Sequence, residues 1–297
     1  MLIPGMLLKI VAMTEAADQS ITLIRAIVIG VVQGLTEFLP ISSTAHVKVV
    51  PVVLGWGDPG VAFTAVIQLG SVAAILWYFW DDLSAATMNF LKALFAKRYE
   101  SSDFQLGLGI LLGTLPIVVV GMYLKLFVPG YEDSVVRSTA AIALTSIVMA
   151  ILLAVAELIG KRKRDFAKLG LSDGLLVGIA QAFALVPGAS RSGSTLTAGL
   201  FIGLKRETAA RFSFLLGMPA ILLSGLVSIT DVVGADSRVA LLPLLGGLAA
   251  AVVSSYLAIA WLIDFLKKHS TWVFVWYRLA FGAVILIAIA FGTLENI

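Results

Sequence analysis

Predominantly apolar runs at 61–80, 104–127, 138–159, 212–230, 239–263 and 272–292 constrain this chain more than any other feature. Each is long enough, at about 1.5 Å per helical residue, to cross a hydrocarbon core about 30 Å thick. In that medium every backbone N–H and C=O must be satisfied within the protein, so only helices or a closed barrel can span it. Barrel strands alternate apolar and polar residues over about ten positions, whereas these runs are continuous. The expected fold is an all-α polytopic membrane protein with about six transmembrane helices. Composition agrees: 13% of residues are charged, against about 25% in soluble domains. The chain has no cysteine, which excludes disulfides and thiolate metal sites. Its pI near 9.1 reflects basic loops rather than a nucleic-acid partner, and none is expected.

Two further apolar segments, 22–54 and 171–204, are interrupted midway by Pro40 and by Pro187-Gly188. Their arms are mostly shorter than a span, and polar residues crowd the breaks. This predicts two broken re-entrant helical hairpins, a form allowed where irregular backbone is buried in protein or lines a cavity. Loop charge orients them. Lys92, Lys97, Arg98, Lys161, Arg162, Lys163, Arg164, Lys168, Lys205, Arg206, Arg211, Lys267 and Lys268 fall on one side, and only Arg137 and Arg238 on the other. The richer side is cytoplasmic. The first hairpin then enters and leaves from the outer face, and the second from the inner face.

Each hairpin precedes three spans, so the single integral-membrane domain, 1–297, divides into inverted-topology repeats at about 22–160 and 171–293. The stretches "GVVQGLTEFLPISST" (30–44) and "GIAQAFALVPGASRS" (178–192) share Gly-x-x-Gln leading into a proline break. Such repeats place their polar turns face to face near the midplane. Residues 1–20 are expected to be a variable segment, lying on the membrane surface or preceding a true start at Met13.

The first turn carries Gln33 and Glu37 on one helix face, then Pro40, then Ser42, Ser43 and Thr44, all good N-caps, with His46 a turn further in. The second, "PGASRSGSTLTAG" (187–199), carries Ser190, Arg191, Ser192 and Thr195. New helix starts offer unpaired N–H groups to an anion, and a guanidinium fork matches phosphate oxygens. An arginine at bilayer depth costs roughly 2.5–3.5 kcal/mol on the mildest scale. Glu37 from the opposite turn, or a substrate phosphate, is expected to offset it. Arg278, two turns inside the last span, is expected to snorkel to the cytoplasmic interface, and Glu157 to form an interfacial ion pair beside "KRKR". Lys48 either reaches the outer interface or adds charge to the site.

The motifs "QGLTEFLPISSTAH" and "PGASRSGST", reinforced by "FTAVIQLGS" (63–71) and "FSFLLGMPA" (212–220), resemble those of the undecaprenyl-diphosphate phosphatase family, which is linked to bacitracin resistance. The likeness covers nearly all of the chain beyond its first twenty or so residues. It implies hydrolysis of a polyprenyl diphosphate lipid to the monophosphate, recycling the carrier for cell-wall synthesis. It also implies a bacterial cytoplasmic (inner) membrane location, surrounded by membrane lipids, with the site open to the outer or periplasmic face. A divalent cation (Mg2+ or Ca2+) is implied and no organic cofactor; a homodimer is left open. The family's first motif, glutamate or glutamine, three residues, then glutamate, falls on Gln33 and Glu37, its serines on Ser42 and Ser43, its histidine on His46, and its arginine motif on Ser190, Arg191, Ser192 and Thr195. Gln33 stands where glutamate is commoner, and Ala45 where glycine often stands.

The catalytic candidates are therefore Glu37, Ser43, His46 and Arg191, with Ser42, Ser190, Arg191, Ser192 and Thr195 binding the diphosphate. Either Ser43 or His46 attacks phosphorus, the other carrying the proton. Glu37 orients or deprotonates the histidine, or ligates the cation with Gln33. A secondary transporter or lipid-phosphate flippase is the alternative, because inverted repeats with broken helices also build transport sites.

Overall fold

The computed structural model describes residues 21–131, 134–233 and 240–296, so the expectation for 1–20 lies outside the described residues. The described chain is helical: α1 (Leu23–Phe38), α2 (Ser43–Val53), α3 (Val61–Tyr78), α4 (Trp80–Phe95), α5 (Ser102–Phe127), α6 (Thr139–Ile159), α7 (Leu171–Ala182), α8 (Arg191–Phe201), α9 (Arg206–Val233), α10 (Leu241–Lys268) and α11 (Trp272–Ala290). By length and composition α5, α6, α9, α10 and α11 can each cross a membrane, and α3 with α4 supplies a sixth candidate. This is a multi-pass membrane protein.

Helices α9 and α10 run several residues past the apolar stretches that announced them. A helix need not end where the hydrocarbon does. Arg206 and Glu207 begin α9, while Lys267 and Lys268 close α10 and complement the negative end of its dipole. Between α3 and α4 the chain turns by 78° at Phe79. With α3 along the membrane normal, α4 runs close to the membrane plane. Its acidic first turn, Asp81 and Asp82, and basic last turn, Lys92, suit an interface better than hydrocarbon.

The hairpin arms are short. Helices α1, α2, α7 and α8 contain 16, 11, 12 and 11 residues, below the roughly 20 that a crossing needs. Each pair is instead enclosed by helices from both halves. Helix α10 packs on α1, α5 packs on α7, and α6 packs on α11 while α3 packs on α9. The halves thus exchange partners: the second crossing helix of each covers the first arm of the other's hairpin. At α5–α7 the contact is backbone to backbone. A Cβ added at Gly174 would overlap Gly109, and one at Gly178 would overlap Gly113.

Packing follows the lipid's polarity. On α5, Val119, Met122 and Leu126 face outward, which is ordinary where the surrounding solvent is apolar. The core lies instead beneath the breaks, where Phe38 meets Phe214 edge to face and Leu196, Leu200, Leu216, Ile259 and Leu262 close around them.

A polar clasp ties the end of α6 to the starts of α7, α9 and α11. Glu157, 3% exposed, accepts from Arg162, Arg206 and the Thr271 hydroxyl. Arg164 grips Asp173 with both terminal nitrogens, at 2.8 and 2.7 Å. The ion pair expected of Glu157 forms, but it is buried and shared among three elements.

Candidate active site

Both breaks are built alike. Leu39, at the end of α1, is already extended because Pro40 cannot continue the helix. The chain then turns through Ser42, whose φ of 75° is in the left-handed region, and α2 begins at Ser43. In the second break Ser190 has φ 73° and α8 begins at Arg191. One offset relates Gln33 to Gln181, Ser42 to Ser190 and Ser43 to Arg191. A non-glycine residue in this conformation costs of order 1–3 kcal/mol and persists only where its surroundings enforce it. Here each serine caps its own helix: Ser42 Oγ accepts from Ala45 N (3.4 Å), and Ser190 Oγ from Gly193 N (3.0 Å).

The two helix starts meet at Glu37. Its Oε2 accepts from Ser43 Oγ at 2.7 Å and from Gln33 Nε2 at 2.6 Å. Its Oε1 accepts from Arg191 Nη2 at 2.8 Å, across 154 residues of sequence. The carboxylate is 5% exposed and Gln33 1%, whereas Ser43 is half-buried and the Arg191 side chain keeps 9% of its surface exposed. The reachable groups are therefore the hydroxyl and the guanidinium. At the position equivalent to Glu37 the second break has Leu185, so a carboxylate is present on one side only.

Arg191 is also held from α9. Its Nη1 donates to Ser213 O (3.2 Å), and Thr195 Oγ1 donates to Arg191 O (2.7 Å) while pairing with Ser213 Oγ (2.5 Å). Gly217 leaves room for the guanidinium, which a Cβ there would overlap. Ser213 and Gly217 lie in "FSFLLGMPA" and were not singled out as site residues. Their polar or missing side chains on an apolar helix were the available signal.

Several expected phosphate ligands brace the turns. Besides the caps at Ser42 and Ser190, Ser192 Oγ donates to Leu39 O at 2.9 Å and joins one break to the other. Lys48 donates to Arg137 O (2.8 Å), in the loop before α6.

His46 stands apart from the carboxylate. Its Nδ1 lies 2.7 Å from Ser42 O, which can only accept, so Nδ1 carries the proton. Its Nε2 then accepts from the Tyr277 hydroxyl at 2.6 Å. The ring is stacked on Phe281, with centroids 4.5 Å apart. Both nitrogens are thus engaged away from Ser43, and the option in which Glu37 orients His46 is not the arrangement seen. His46 braces the left-handed cap. His46→Ala is expected to lower turnover by about 100-fold or less, as misplacement of a catalytic group does. Tyr277→Phe is expected to cost about 10-fold, one hydrogen bond's worth; steady-state kinetics with the lipid diphosphate that the resemblance implies measures both.

Arg278 corrects an expectation outright. It does not snorkel: it is 0% exposed. Its Nη1 donates to Pro40 O (3.0 Å), its Nη2 to Gly188 O (2.8 Å) and Ala189 O (3.2 Å), and its Nε to Ser146 O (3.2 Å). Breaking two helices leaves carbonyls without intrahelical donors, and one guanidinium from α11 satisfies both breaks. Its distance from the end of the apolar run did not reveal which way it points.

The donor set does not fit a resident divalent cation at Gln33 and Glu37. Both carboxylate oxygens already accept from protein donors, and among the described residues no three His, Asp or Glu side chains come together. Such ions take six or more oxygens.

Two opposed helix breaks, enclosed by membrane-spanning helices and sharing one buried carboxylate, define an integral-membrane protein whose polar centre is assembled from paired hairpins. Residues 26–284 match the family described as Bacitracin resistance protein BacA. Curated relatives named undecaprenyl-diphosphatase agree along nearly the whole chain. The Nostoc sp. protein is 60% identical over 281 residues, 94% of this chain and 87% of the relative. Its Synechocystis sp. counterpart is 60% identical over 274 residues, 92% and 84%, and that of Synechococcus elongatus 58% over 284 residues, 95% and 98%. The chain belongs to the BacA family.

Proposed function

We infer that this protein is an undecaprenyl-diphosphatase, which hydrolyses the lipid diphosphate to undecaprenyl phosphate and inorganic phosphate. The observation that carries the reading is the Ser43–Glu37–Arg191 chain of hydrogen bonds. It joins a half-buried hydroxyl, a base and a phosphate-binding fork at two helix starts. Phosphoryl transfer asks chiefly for positioning and charge stabilisation, and this arrangement supplies both.

In the scheme we favour, the terminal phosphate enters between the starts of α2 and α8. Arg191 turns from Glu37 to the phosphate oxygens, leaving the carboxylate free to accept a proton. Ser43 Oγ attacks the terminal phosphorus and its proton passes to Glu37. The bond between that phosphorus and the bridging oxygen breaks, and the prenyl monophosphate leaves with the electron pair. Glu37 gives that proton to the departing monophosphate oxygen, and the restored carboxylate takes one from a water that attacks the phosphoserine. The bond between phosphorus and Ser43 Oγ breaks, Ser43 Oγ regains the proton from Glu37, and phosphate is released. Ser43 is preferred to His46 as nucleophile because it alone is bonded to the carboxylate.

Charge in the loops supports a cytoplasmic-membrane location with the site reached from the outer face. A phosphate-release assay on detergent-purified protein tests the reading. Stoichiometric release from a polyprenyl diphosphate is expected. Binding without release would favour a transporter.

A further inference from the structure

The resemblance carries a divalent cation with it, and the donors around Glu37 argue against a resident one. We propose that in this chain the Gln33 amide takes the place of a resident cation, so that a divalent ion reaches the site only as a complex with the lipid diphosphate. The proposal rests on the undecaprenyl-diphosphatase reading for the identity of that ligand.

A carboxylate beside an amide can accept only from its NH2, so the 2.6 Å contact fixes which way Gln33 faces. Its Nε2 points at Glu37 Oε2 and its Oε1 points away, buried and without a hydrogen-bond partner. Ser43 donates to the same Oε2 and Arg191 to Oε1. A metal bridging residues 33 and 37 would need Gln33 reversed, the Ser43 proton displaced and the Arg191 contact broken. Charge leads to the same conclusion. Glu37 and Arg191 already neutralise each other in a buried pair, and a dication would leave the unliganded site strongly positive.

A glutamate at 33 would change both terms. Two carboxylates on one helix face, with one arginine, leave a net negative charge and free oxygens, which is what Mg2+ or Ca2+ seeks. Gln33 instead acts as a positioning residue: with Ser43 on the same oxygen, it holds Oε1 toward Arg191. Once the diphosphate has drawn Arg191 away, its own oxygens can supply most of a cation's ligands.

The test is a calorimetric titration of chelator-treated, detergent-purified protein with Ca2+ and with Mn2+, without substrate. The wild type is expected to show no saturable binding at millimolar ion, and Q33E to gain one site per chain. Adding a prenyl methylene-diphosphonate, which cannot be hydrolysed, should confer one site on the wild type. Q33M, of similar length but without the donor, should bind no ion alone and lose about 10-fold in kcat with KM unchanged. One tightly bound ion per wild-type chain without diphosphonate overturns the proposal. So does a Q33E protein of unchanged melting temperature that binds none. The ion titration needs no turnover. If no phosphate were released from a lipid diphosphate, the functional reading alone would fail.

Discussion

Ser43→Ala is expected to lower kcat by about 1000-fold or more while leaving KM for the lipid diphosphate within a few-fold of wild type. The loss is large because the hydroxyl is the group that forms the new bond to phosphorus, and removal of a nucleophile is among the costliest single changes to an enzyme. The KM is spared because Arg191 and the two helix starts, which bind the phosphates in this account, keep their places. Folding should survive as well. Ser43 is half-buried and its hydroxyl makes one side-chain hydrogen bond, to a carboxylate that retains Gln33 and Arg191. Loss of one such bond is worth about 1.5–3 kcal/mol, less than most domains' stability. Steady-state kinetics with a melting curve separates the effects. A variant with unchanged melting and unchanged kcat would remove Ser43 from the chemistry.

Arg278→Met has the second large expected effect, and it arises differently. Methionine fills much of the same volume but donates nothing to Pro40, Gly188, Ala189 and Ser146, whose carbonyls the guanidinium now serves. A buried polar group left unsatisfied costs about 1–3 kcal/mol. Several together compete with the whole stability of a domain. We expect a marked drop in melting temperature in detergent, and at least a 100-fold loss of turnover in whatever folds, because the two helix starts lose their common reference. Arg278→Lys keeps the charge, but its single nitrogen cannot reach three elements at once; an intermediate loss is expected. A methionine variant matching wild type in melting and turnover would contradict the bracing role.

Most of the site could be read along the chain because its members stand out against an apolar background. Glu37, Ser43 and Arg191 are polar groups at helix breaks, and two breaks in segments that read as inverted repeats invite the idea that they meet. The all-helical fold was legible for the same reason, since apolar length dictates a span. What escaped depended on direction rather than composition. Arg278 is separated from Pro40 by 238 residues and from Gly188 by 90, and no local pattern records that its face is the inner one. The clue was general: two breaks inside an apolar bundle leave carbonyls in need of a donor, and Arg278 was an ionisable group within reach. The turn at Phe79 escaped because a run ending in "WYFWDD" reads equally as a span reaching water and as a helix bending along the interface. The sequence leaves His46 as either nucleophile or proton carrier, and its partners Tyr277 and Phe281, which arrive from the last helix, are not legible near it.

The shared centre at Glu37 stands or falls on where the phosphoryl group goes. A single turnover with polyprenyl diphosphate, quenched in acid and mapped by mass spectrometry, reads this directly, since phosphoserine survives acid and phosphohistidine does not. Phosphate is expected on Ser43, accumulating further in a variant whose second step is slowed. Phosphate on a different residue, or full turnover in the Ser43→Ala protein with no covalent species trapped, would contradict it.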